Sequence, residues 1–216
     1  MSVPERDNTA RVPVFNAVPP AVLILGSVIV SVYVLGALMP AVQDWSRLAG
    51  AVLIAGNDGR PPIQPLGSYA PYLLHVFVHF GFLHVAMNTA ALVGFGTAVG
   101  RAFGTGTRGT VGFLIFFFAC SLGGALLELV LHTGGATAMA GASTGVSGLL
   151  MAAGWVRGGY RGMLSLGLPW VGFNLLIGLT NIAIDIPIGW LAHIGGSLVG
   201  AVLFPVILPI FNERRT

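Results

Sequence analysis

The stretch "GTVGFLIFFFACSLGGALLELVLH", Gly109 to His132, decides the fold class. Its only carboxylate is Glu128, and it contains no arginine or lysine. A membrane-spanning helix needs roughly 20 mostly apolar residues, with a range of ~17–25, and this run satisfies that. Working outward, the same pattern recurs on both sides, as in "PPAVLILGSVIVSVYVLGALMPAV", Pro19 to Val42. Six spans are predicted, at about 19–42, 82–99, 109–132, 143–156, 162–182 and 189–211. Composition agrees: the 216 residues are 55% hydrophobic and only 8% charged, against about 25% charged in soluble domains. The expected class is therefore an all-α polytopic membrane bundle, one domain over residues 1–216, embedded in a lipid bilayer.

Charge placement gives the orientation. All ten basic residues are arginine. With the N-terminus inside, Arg6, Arg11, Arg101, Arg108, Arg157, Arg161, Arg214 and Arg215 fall on inside segments, and only Arg47 and Arg60 outside. That satisfies the positive-inside rule with both termini cytoplasmic, and an odd number of spans spoils it. In so apolar a chain the net charge of +3 does not point to nucleic acid. The N-terminal "MSVPERDNTARVP" has no cleavable signal pattern, so the first apolar run is expected to be retained as a span. The single Cys120 rules out an internal disulfide framework and a cysteine zinc site. The 32 glycines suit helices whose backbones approach closely within a membrane. The long connection from Gln43 to Gly81 carries Trp45 and the apolar "LAGAVLIAG". It is expected to lie in the membrane interface, where tryptophan is enriched.

Polar groups inside a bilayer are costly, and ionisable ones are functional candidates by default. His84 and Asn88 lie four apart in "GFLHVAMNTAAL", on one helix face. Ser143 opens the fourth span, and His193 lies about a turn into the sixth, in "GWLAHIGGSLVG". These three spans run in the same direction, so all four residues share the outer end of the bundle. Together they supply the parts of acyl transfer. Histidine is the usual base for a serine hydroxyl, and Asn88, His84 and a backbone N–H could donate to the oxyanion. This chemistry calls for no metal and no cofactor.

At these residues the sequence resembles the rhomboid family of intramembrane serine proteases. Three motifs carry the resemblance, in order and on alternating spans: "HVFVHFGFLHVAMN", "GASTGVSG" and "AHIGGSLVG". It implies a serine endopeptidase with a Ser–His dyad and no catalytic aspartate, oxyanion donors at His84 and Asn88, and membrane-anchored protein substrates. It also implies a bacterial-type plasma-membrane location and a fifth span that helps gate substrate access. Three positions depart from the family's usual pattern. Thr144 follows the serine where many members have glycine, Ala70-Pro71 replaces a Trp-Arg pair, and Gly100-Arg101 stands where a glutamate is frequent.

Two serines compete for the role of nucleophile. Ser147, in "GVSG", fits the family's Gly-x-Ser-Gly literally, and Ser143 fits by position. The physical argument prefers Ser143. The first N–H groups of a helix lack intrahelical partners and favour negative charge, whereas the Ser147 N–H is expected to bond the Ser143 carbonyl. Ser147 stays as the alternative nucleophile.

Blander readings stand beside these. "GASTGVSG" alone reads as small-residue helix packing. His75 and His79 form a His-x-x-x-His pair without a carboxylate or cysteine to complete a zinc site, so they are expected to brace the first loop. Glu128 and His132 are expected to pair at the outer end of the third span, and Asp185 is expected on a connecting loop. A catalytically inactive rhomboid-like protein that binds membrane proteins for quality control is the alternative function. A transporter is disfavoured by the lack of paired intramembrane charges and of an internal repeat.

Overall fold

The structure is a computed structural model that describes residues 18–54, 63–133, 135–181 and 188–212. Seven α-helices, one turn of 3-10 helix at His75–Phe77 and one short antiparallel strand pair make up its regular structure among these residues. In chain order they are α1 (Pro20–Leu38), α2 (Pro40–Gly50), β1 (Val52–Ile54), α3 (Pro71–Leu74), α4 (Phe82–Phe103), α5 (Thr107–Leu131), β2 (Thr137–Met139), α6 (Ser143–Thr180) and α7 (Trp190–Phe211). Five of them, α1, α4, α5, α6 and α7, are long and apolar enough to cross a membrane.

The predicted fourth and fifth spans fall together within α6. At 38 residues α6 would be about 57 Å long if straight, nearly twice the ~30 Å hydrocarbon core of a bilayer. It is not straight: Gly158 and Gly159 leave helical geometry, and Gly159 has a φ of +58° that favours glycine. The chain turns back there. A Cβ on Gly154 would stand 2.6 Å from the Gly162 carbonyl oxygen, one on Gly167 would strike the thioether of Met151, and Trp170 bonds Ser147. Those pairs step in opposite directions along the chain, so residues 143–157 and 160–180 are two antiparallel arms of a hairpin.

The first span is shorter than expected. α1 stops at Leu38, and Met39 is extended at φ −132° and ψ 94° because Pro40 follows it. Proline disfavours the helical conformation of the residue before it and lacks the N–H that would continue the ladder. α2 then presents Trp45 and Leu48 outward and tucks Ala49 and Gly50 against the protein. Gln64 holds the end of α2 by donating from Nε2 to the carbonyls of Leu48 and Ala51, at 2.9 and 2.8 Å. The region expected to be a loop thus contains α2, β1 and α3.

The bundle is polar at one end and aromatic at the other. Phe103, Phe116 and Phe204 pack at the end of α4, within α5 and late in α7, with centroids 5.4–6.2 Å apart. His84, Ser143 and His193 lie at the opposite end, near the starts of α4, α6 and α7. α7 lies along both α5 and α6, and glycines permit that closeness. A Cβ on Gly200 would stand 2.5 Å from the Cα of Gly148, and one on Gly195 would stand 2.8 Å from the Gly123 carbonyl oxygen. Cys120 is buried where Gly148 of α6 meets α5.

Candidate active site

Ser143 is the first residue of α6, and its approach is held on both sides. β2 pairs with β1, Val52 facing Met139. Two residues on, Gly141 adopts a φ of +111°, a left-handed conformation that favours glycine, and its N–H donates to the His75 carbonyl at 2.8 Å. A Cβ at Gly141 would also stand 2.6 Å from His84 Nε2. Glycine therefore does two things here: it turns the chain into the helix and lets the Nε2–Cε1 edge of His84 approach the backbone.

The first hydrogen bond of α6 runs from the Val146 N–H to the Ala142 carbonyl, at 2.9 Å. Among the described residues the Ser143 N–H has no hydrogen-bond partner, as expected at a helix start. The Ser143 hydroxyl lies 2.8 Å from His193 Nε2, joining the start of α6 to that of α7. Ser143 is partly exposed, whereas Ser147 is 1% exposed. The Ser147 hydroxyl donates to the Ser143 carbonyl at 2.7 Å and accepts from Trp170 Nε1 at 3.1 Å.

His84 lies against Gly141, two residues before Ser143, and Asn88 follows it one turn along α4. Asn88 is buried and donates from Nδ2 to the His84 carbonyl at 2.9 Å, leaving its second amide hydrogen uncommitted. Its Oδ1 is buried and unpartnered among the described residues. The His79 ring packs edge-on against His84, with centroids 4.9 Å apart. His75 is fully buried, and burial pushes it down to about 4, so it is neutral. Its Nδ1 faces the Pro71 carbonyl and its Nε2 faces the Thr144 hydroxyl, both at 3.2 Å. Because a carbonyl only accepts, Nδ1 carries the hydrogen and Nε2 accepts from Thr144. Two of the sequence departures thereby join. Thr144 and Pro71 bond one histidine, and Gly124 makes room for the threonine, since a Cβ there would stand 2.9 Å from its Cγ2.

Asn174 was not singled out from the sequence, and Trp170 and Glu128 make contacts that no motif announced. Asn174, on the second arm of α6, is fully buried with Oδ1 2.8 Å from His193 Nδ1. Trp170 lies beside the His193 ring, with centroids 5.6 Å apart and planes at 34°. Glu128 was expected only to pair with His132, and it does, at 3.3 Å. It also accepts from the Ala192 N–H at 3.0 Å, one of the open donors at the start of α7. A carboxylate beside a helix N-terminus is favourable, and this one braces the turn that carries His193. Glu128→Leu should lower thermal stability in detergent by about 1–3 kcal/mol, the cost of a buried donor left unpaired. Glu128→Gln, which keeps a carbonyl acceptor, should recover part of it. Asp185 lies outside the described residues.

No group of three or more histidine, cysteine or carboxylate side chains is placed to hold a metal ion among the described residues. In chemical terms the site offers a hydroxyl touching an imidazole, a second imidazole against the turn that precedes the hydroxyl, and an open helix-start N–H. No curated protein matches the chain. The family model of the rhomboid domain matches residues 67–210, from the loop before α3 nearly to the end of α7. That match covers more than half of the chain and every side chain of the site just described; the chain is a member of the rhomboid family of membrane proteins.

Proposed function

We propose that this protein is an intramembrane serine endopeptidase that cuts transmembrane proteins near the outer face of the bilayer, with Ser143 as nucleophile and His193 as its base. The observation that carries the reading is the 2.8 Å contact between Ser143 Oγ and His193 Nε2. In the reaction, Ser143 Oγ attacks the carbonyl carbon of the scissile bond while its proton passes to His193 Nε2. The oxyanion turns toward the Ser143 N–H, the Asn88 amide and His84. As the tetrahedral species collapses, the C–N bond breaks and the leaving amine takes the proton from His193. Water, deprotonated by the same imidazole, then splits the acyl-enzyme. The scissile segment must leave its helix first, because a helical backbone buries its carbonyls, so helix-breaking residues in substrates should speed cleavage.

The arginine distribution supports an orientation with both termini in the cytoplasm, and the family resemblance supports a plasma-membrane location. The site then opens to the far side of the membrane.

The test is incubation of the full chain, in detergent and in liposomes, with a single-span substrate and separately with a fluorophosphonate probe. Cleavage near the outer end of the substrate span, with the probe bonded to Ser143, is the expected result. A folded protein that neither cuts nor labels in either medium removes this proposal and favours the non-catalytic membrane-protein binder.

A further inference from the structure

We infer that Asn174 is a positioning residue that fixes the tautomer and orientation of His193, making the arrangement a Ser143–His193–Asn174 triad. Its catalytic consequence rests on the hydrolase reading above; the tautomer does not.

The inference follows a chain of donors and acceptors. The Asn174 amide meets two groups, the Trp170 carbonyl and the His193 ring. A carbonyl cannot donate, so the amide nitrogen must face Trp170, at 2.9 Å. The amide oxygen is then the atom 2.8 Å from His193 Nδ1. That oxygen only accepts, so Nδ1 must carry the hydrogen. A neutral imidazole has one hydrogen, so Nε2 is left as acceptor for the Ser143 hydroxyl 2.8 Å away. A backbone carbonyl on one helix thus sets the proton position on another, with the amide as relay.

Geometry adds to the logic. Asn174 is fully buried, so water cannot take over its role, and the Trp170 ring lies along the imidazole. The amide holds one edge of His193 and the indole covers its side. During attack the imidazole gains a proton, and the Asn174 oxygen remains bonded to Nδ1–H while the charge lasts. Unlike an aspartate, the amide adds no negative charge of its own.

Two measurements test this on the full chain in detergent micelles. The first is nitrogen-15 NMR of labelled histidines, with His193 assigned by its loss in His193→Gln. The unmutated protein should show His193 protonated at Nδ1, and Asn174→Leu should shift hydrogen to Nε2. Asn174→Asp, which keeps an acceptor at that place, should retain Nδ1–H. The second is cleavage kinetics. Asn174→Leu should lower kcat by roughly tenfold to a hundredfold, less than the ~10²–10⁴-fold that a positioned base supplies in full, with KM changed less than about twofold, and Asn174→Asp should keep more of kcat than the leucine variant. A His193 protonated at Nε2 in the unmutated protein, or unchanged in Asn174→Leu, overturns the inference whether or not the chain cuts. So does an Asn174→Leu enzyme with normal kcat. An unmutated chain that neither cuts nor labels, yet shows the Asn174-dependent tautomer, removes the hydrolase reading and leaves the tautomer assignment standing.

Discussion

Ser143→Ala should reduce cleavage by about 10³-fold or more, while Ser147→Ala should cost about tenfold or less. The first figure follows from removing a nucleophile that acts as a unit with its base; such losses are large and grossly non-additive. The second follows from what surrounds Ser147. Its hydroxyl is buried and already engaged twice, donating to the Ser143 carbonyl and accepting from Trp170. Deleting it leaves the indole N–H unpaired, at about 1–3 kcal/mol, and loosens the ring beside His193. Initial rates on a single-span substrate, with fluorophosphonate labelling of each variant, separate the two. A labelled, active Ser143→Ala paired with a dead Ser147→Ala would transfer the nucleophile to Ser147. The double variant should be no worse than Ser143→Ala alone.

Much of this was open to sequence reasoning because the bilayer enforces simple rules. A span must be long and apolar, which placed α4, α5 and α7 within a few residues. Polar groups at depth must have a reason, which singles out His84, Asn88, Ser143 and His193 in the sequence. What escaped was local or relational. The break at Met39 was visible as a proline in the first apolar run, yet continuous hydrophobicity outweighed it; the backbone obeys proline chemistry first. α2 and β1 were hidden because their amphipathic and three-residue signals are weak beside the spans. Asn174 obeys the same rule that found Asn88. It is a lone amide in an apolar helix, "WVGFNLLIG", some two turns from the outer end. Its partner His193 lies 19 residues away on another helix, so no local spacing joins the two. Glu128 has a local partner in His132, one turn away, that the sequence predicts. Its second oxygen serves a helix start distant in sequence, a contact no local pattern announces.

Gly200→Val should lower cleavage by about a hundredfold and lower the unfolding temperature as well. The first atom of the new side chain would stand 2.5 Å from the Cα of Gly148 and 2.7 Å from its carbonyl oxygen. Both are backbone atoms, so no rotamer change relieves the clash, and α7 must move away from the first arm of α6. Those are the two helices that carry His193 and Ser143. Their 2.8 Å contact is about two turns further along, too near to be insulated from a shift of either axis. Reacting groups lose about 10²-fold for a displacement of about 1 Å, which sets the expected loss. Gly172→Val is the control. It too sits in a long helix, but a Cβ there meets nothing within 4 Å, so activity should stay within about twofold, as for a surface substitution. Rates and melting curves of the two variants side by side decide whether the glycine seam holds the dyad. Equal behaviour would mean that α7 is positioned by Glu128 and the Asn174–Trp170 pair instead. A Gly200→Val protein that keeps its melting temperature but loses activity would show that the seam sets the distance between the reacting atoms more than it sets stability.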